Sequence, residues 1–184
     1  MLKQASELFQ EKKLAKKRKK KMSNSQMVRE FSSLVAKSQG KELPNKAIPF
    51  STESAKFMAK MVIDELIEML AYSSVNVYDR KKLLSNIIEN ADYREDLVFS
   101  TPSVEGQMDS VVDIEYYMKD VCARHGQNTD KVFELVHKAN MAKVNDNGLF
   151  TIREDGKVVK PQNWKPADIT TEVERQMKGS SFDT

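Results

Sequence analysis

At 184 residues, 40% of them hydrophobic, the chain is long enough to bury one substantial core, and no apolar run approaches the roughly 20 residues of a membrane span. Its start lacks the apolar centre of a secretory signal and Cys122 stands alone, so a soluble protein of a reducing, cytoplasmic compartment is expected, without a disulfide framework. The net charge of +3 belongs to one segment: residues 1–22 hold nine Lys/Arg and two Asp/Glu, and once their +7 is set aside the remainder stands at −4, which argues against a broad nucleic-acid surface on the folded part.

Residues 12–21, Lys12 to Lys21, form a like-charge block that repels itself, and residues 1–24 are read as a basic flexible extension. Such an arm could bind a polyanion, carry a nuclear-localisation signal, or be a solvated extension with no dedicated role; Glu7 and Glu11 speak against a mitochondrial presequence. Residues 25–178 then read as one domain and residues 179–184 as a frayed tail.

From Ser25 the spacing of Met27, Val28, Phe31, Leu34 and Val35 predicts a helix that stops at Gln39-Gly40. A linker punctuated by Pro44 and Pro49 leads to a long second helix, capped by Ser51 or Thr52 and running to about Ser74. Leu83, Leu84, Ile87 and Ile88 mark a third helical stretch within residues 78–98, with Asn90 as an end signal. After Thr101-Pro102-Ser103 a fourth helix runs to Gly126 on a stripe of Val111, Ile114, Met118 and Val121. Asn128 or Thr129 begins a fifth, whose apolar face passes through Phe133 and Val136 into Asn140 and Lys143. Beyond Asp146-Asn147-Gly148, residues 149–152 and 157–160 read as a small β-hairpin turned at Asp155-Gly156, followed by a strap from Pro161 to Pro166 with the only tryptophan, Trp164. Asp168 can cap a last short helix over Ile169 to Met177. The fold class expected is all-α, a four-helix-bundle core closed by the hairpin and strap.

The second helix carries the anomaly. At about 100° per residue, Glu65 falls within an arc of Met58, Met61, Val62, Met69 and Tyr72, with Glu68 one turn on near its edge and Asp64 beside them. An unpaired carboxylate taken out of water costs roughly several kcal/mol, so such a position demands a cation, a proton or a hydrogen-bond donor. On the fourth helix Asp109 and Asp113 lie four apart on the face opposite its stripe, where a solvated surface is the plain reading; Val112, Tyr116 and Ala123 make that face only partly polar. Acids on two helices, with no cysteine or paired histidine among them, form an all-oxygen donor set suited to a hard cation such as Mg²⁺, and hard cations at carboxylates commonly serve phosphate chemistry. Lone His137 and the helix-terminal His125 have cheaper structural explanations than metal ligation.

Taken together, Asp64-Glu65-Leu66-Ile67-Glu68, then Asp109 to Asp113 followed by Tyr116, then Val136-His137-Lys138-Ala139-Asn140-Met141-Ala142-Lys143, with Arg153 to Lys160 and Asn163-Trp164-Lys165-Pro166 behind them, resemble the MazG-like all-α nucleoside triphosphate pyrophosphohydrolases, related to phosphoribosyl-ATP pyrophosphatase. The likeness covers roughly residues 27–170. It implies a Mg²⁺ site, with Mn²⁺ as a substitute, held by Glu65, Glu68, Asp109 and Asp113; catalytic roles for Glu65 and Asp64; and substrate contacts by Asn140, Lys143, Tyr116 and Lys160. It also implies cleavage of the α–β phosphoanhydride to a nucleoside monophosphate and pyrophosphate, and a homodimer. Two departures stand out: Ser110 occupies the position where many relatives carry the first acid of the second motif, with Asp109 one residue earlier, and the 41 positions from Glu68 to Asp109 imply an inserted or extended element around residues 78–98. The rival reading is a catalytically silent helical dimerisation scaffold with a polyanion-binding basic arm.

Overall fold

The computed structural model describes residues 21–94, 101–179 and 181–182; the basic block, apart from Lys21, and the end of the expected third helical stretch lie outside them. The described residues form six helices: α1 (Asn24–Ser38), α2 (Thr52–Tyr72), α3 (Val77–Glu89), α4 (Val104–Arg124), α5 (Asp130–Met141) and α6 (Thr170–Lys178). None is long and apolar enough to cross a membrane. The chain divides into two compact units, Met1–Leu43 with Met118–Thr184, and Pro44–Tyr117.

The first unit is built on the packing of α1 against α5. The start of α1 is a capping box: the Gln26 N–H donates to Ser23 Oγ at 3.2 Å and the Ser23 N–H to Gln26 Oε1 at 2.9 Å, which occupies two amide hydrogens that a helix start leaves without partners. Its stop is Gly40 at φ +67°, a left-handed conformation in which a side chain would be strained. Met27 and Ala36 of α1 are buried, and Phe150, only 4% exposed, sets its ring 4.9 Å from that of Phe31 at a 43° tilt. Ser38 joins the two pieces of chain: its hydroxyl donates to the Leu34 carbonyl at 2.7 Å and accepts the Phe150 N–H at 2.8 Å.

Asn128 opens α5 by accepting the Asp130 N–H, and its backbone and side chain bind Gln176 and the Ser181 carbonyl, which ties the α6 region to the start of α5. Between α5 and α6 the expected β-hairpin appears as a single antiparallel bridge, Ile152 to Val158, turned through Gly156 at φ +82°; no paired strands occur among the described residues. Arg153 and Asp155 clasp each other across that turn, and the guanidinium holds the Asp155 carboxyl down at about 2. The last helix starts at Thr170, one residue later than expected, with Ile169 and not Asp168 at its cap position; the Asp168 carboxylate still accepts the Thr170 N–H at 3.1 Å.

In the second unit α2 packs on α3. Ser51 caps α2 by accepting the Ser54 N–H, Asn76 caps α3 by accepting from Tyr78 and Asp79, and Ser103 caps α4 by accepting the Gly106 N–H. The linker before α2 is pinned by one side chain: Gln107 Oε1 accepts the Phe50 N–H at 2.7 Å, and Gln107 Nε2 donates to the Phe50 carbonyl at 3.3 Å. No residue of α2, α3 or α4 is buried. Apolar side chains stand open on all three, and on α4 Met108, Val112 and Tyr116, each four residues from the next and hence on one face, are 58%, 58% and 71% exposed.

Candidate functional site

Where Gln107 anchors Phe50, the second unit carries an open concavity of about 650 Å³. Its wall includes Phe50, Ala55 and Met58 on one side and Gln107, Asp109 and Asp113 on the other, with Arg94 also lining it. The i, i+4 spacing on α4 puts the two aspartates on one face; both are exposed, and both line the concavity.

On α2, Glu65 and Glu68 are exposed and Asp64 is half-buried. Met58, which lines the cavity, shares its helical face with Glu65 seven residues on, about 10 Å further along the axis at 1.5 Å per residue. Asp64 is ion-paired with Lys60 at 2.6 Å, a turn before it. By contrast, Glu65, Glu68, Asp109 and Asp113 have no ion pair among the described residues, so the chemistry of this donor set, all oxygen and uncompensated, fits a hard cation. The single chain does not gather three of them: no group of three or more His, Cys, Asp or Glu able to hold a metal ion occurs among the described residues. Tyr116 is exposed on α4.

The remaining substrate contacts that the sequence suggests fall together in the first unit. The Lys143 ammonium donates to Asn140 Oδ1 at 2.8 Å, just past the end of α5, and stands 5.1 Å from the centroid of the Trp164 ring. The Lys160 ammonium lies 4.8 Å from the same centroid. Burial, and then repulsion from Lys160, push the Lys143 pKa below that of an ordinary lysine. His137 is engaged elsewhere, its Nε2 lying 3.1 Å from Glu30 Oε2 between α1 and α5, in keeping with a structural role.

Two residues that shape these places carried no role in the sequence reading. Gln107 fixes the cavity wall through a partner 57 positions away, and nothing in its local pattern marks that. Trp164 donates its indole N–H to the Ala139 carbonyl at 2.7 Å, so the strap is fastened to the last turn of α5; being the only tryptophan in a polar strap was the available signal.

No protein-family model and no curated protein matches the chain. Among solved structures it is similar to a protein from Exiguobacterium sp. 255-15 described as a "putative NTP pyrophosphohydrolase", with a TM-score of 0.70 and 26% identity over 86% of this chain and 98% of that one. The chain therefore shares, over most of its length, the helical fold of a protein assigned to NTP pyrophosphohydrolysis.

Proposed function

We propose that the protein is a Mg²⁺-dependent nucleoside triphosphate pyrophosphohydrolase of the MazG-like all-α group, adding water across the α–β phosphoanhydride to release a nucleoside monophosphate and pyrophosphate. One observation supports the reading most: Asp109 and Asp113, the acids of the second motif, line a cavity in a chain that shares the fold of the Exiguobacterium protein.

Glu65, Glu68, Asp109 and Asp113 are the residues that would hold the ion. When bound, a hard divalent cation supplies charge neutralisation for the phosphates and activation of the attacking water. Asp64, which keeps one oxygen outside its pair with Lys60, and Glu65 are the two candidates to accept the water's proton. Asn140, Lys143 and Lys160 take the negative charge of the phosphates, which grows on the leaving group as the anhydride breaks. Tyr116, accessible on α4, is assigned a substrate contact.

A homodimer completes this proposal. Monomeric soluble proteins rarely leave contiguous apolar faces open, and two of the helices with exposed apolar side chains, α2 and α4, are those that bear the acids. A second copy that covers them would complete a four-helix core and bring further carboxylates to the site.

The deciding experiment is Glu65→Gln, which keeps shape and hydrogen-bonding capacity but removes the charge. Mg²⁺-dependent pyrophosphate release from a panel of standard, deoxy and damaged nucleotides should fall by at least about a hundredfold, the scale of losing a positioned acid–base group. Undiminished release rejects the assignment. The scaffold reading is favoured by one observation, the lack of a gathered three-acid group among the described residues; it requires no turnover at any Mg²⁺ or Mn²⁺ concentration.

A further inference from the structure

The acids occupy only one flank of the concavity in the second unit. At about 100° per residue, Asp113 and Asp109 stand about 120° and 160° round α4 from Gln107, with Gly106 and Ser110 in the arc between. Only a hydrogen and a hydroxymethyl project there, so the space over the helix stays open. Phe50 and Met58 give that space an apolar wall, and Phe50, 37% exposed, is neither sealed in a core nor fully in solvent.

Such a place has two chemical ends. A metal ion by itself would answer the carboxylates and leave the apolar wall in water, whereas an apolar ligand would cover the wall and leave the carboxylates without a cation. A nucleotide answers both, with a flat base at one end and phosphates carrying a divalent cation at the other. The volume of about 650 Å³ lies inside the roughly 300–1,000 Å³ of small-molecule sites.

Phe50 is also gripped. It belongs to a linker without helix or strand, directly before Ser51, the cap of α2. One side chain of α4 takes both of its backbone groups: Gln107 Oε1 accepts the Phe50 N–H at 2.7 Å, and Gln107 Nε2 donates to the Phe50 carbonyl at 3.3 Å. The aromatic residue is thereby registered to the helix that bears Asp109 and Asp113. We propose that the concavity seats the nucleoside of the substrate, with Phe50 as the platform for the base and Gln107 as the positioning residue that holds this platform in register with the acids. The proposal deepens the hydrolase reading and rests on it for the phosphates, and it adds residues that the family resemblance does not assign.

The test compares ligands that share the phosphates and differ in the base. The full chain, with Mg²⁺ present, is titrated by calorimetry with the α,β-methylene triphosphates of adenosine, guanosine, cytidine, uridine and thymidine, and with inorganic tripolyphosphate. At least one nucleotide should bind about tenfold or more tightly than tripolyphosphate. Phe50→Ala should cut that preference by about five- to 150-fold, the scale of losing an aromatic partner for one base. Phe50→Tyr should keep the preference and Phe50→Leu only part of it; a side chain that merely fills space would not separate the two. Gln107→Glu still accepts the Phe50 N–H but has nothing to donate to the carbonyl, and should lower the preference about threefold, with Gln107→Met, which removes both bonds, lowering it further. Phe50 is exposed in a linker, so its variants should fold normally, and circular dichroism checks those of Gln107. A parent chain that prefers no nucleotide over tripolyphosphate overturns the proposal, as does an undiminished preference in Phe50→Ala; an undiminished preference in Gln107→Met overturns the positioning role. The two proposals fail separately: turnover of natural nucleotides with a preference indifferent to Phe50 sinks the seat alone, and a Phe50-dependent preference without turnover sinks the hydrolase alone.

Discussion

The two units of this chain solve different problems. In the unit containing α1 and α5, Met27, Ala36 and Phe150 are buried, a serine hydroxyl ties residues 112 positions apart, and the lysines are collected on an indole. In the unit containing α2 and α3 nothing on the helices is buried, many apolar side chains are exposed, and of the candidate acids Asp64 is paired with Lys60. A unit with its own core can hold charges of one sign at a set spacing. One whose helical side chains are exposed keeps its carboxylates accessible. The difference places the buried core in one part and the accessible acids in the other.

That contrast can be broken by experiment. The largest effect should come from Phe150→Ala, which removes the most buried ring; a loss of about 3 kcal/mol or more is expected, read by urea unfolding. An equal loss from truncating Tyr72, 82% exposed on α2, would erase the distinction. Next, Val112→Glu places a charge in the middle of the open stripe on α4. It should shift the chain from dimer to monomer in sedimentation and lower pyrophosphate release with it, while leaving the circular dichroism spectrum unchanged; an unaltered sedimentation coefficient would show that this face is not covered by a second copy.

Ser38→Ala sharpens the comparison on a smaller scale. It leaves the Phe150 N–H without its acceptor and should cost about 1 kcal/mol by the same unfolding assay. The smallest effect concerns acid. Arg175, and then Gln176, hold the Glu172 carboxyl down at about 2, below the 4.5 of a free glutamate. A depressed folded-state value adds stability that is present above the unfolded pKa and lost as the pH falls toward 2. The melting temperature of Glu172→Gln should therefore lie below that of the parent at neutral pH and meet it at strongly acid pH. A constant gap across that range would detach Glu172 from the acid response.

What the sequence by itself determined was local. Helix starts at Ser51 and near Ser103, ends at Gly40 and Asn90, and the shared face of Asp109 and Asp113 all depend on residues within a turn or two of one another, so period and capping chemistry expose them. The motif order also pointed to the hydrolase fold now found in the Exiguobacterium protein. Tertiary structure alone decided that residues 149–160 close through one bridge instead of paired strands, that Gln107 pins Phe50 beside the two aspartates, and that Trp164 gathers Lys143 and Lys160. Contacts of that kind join residues far apart in the chain. Their energy comes from burial and from partners brought together only by folding, and no periodicity along the chain records them.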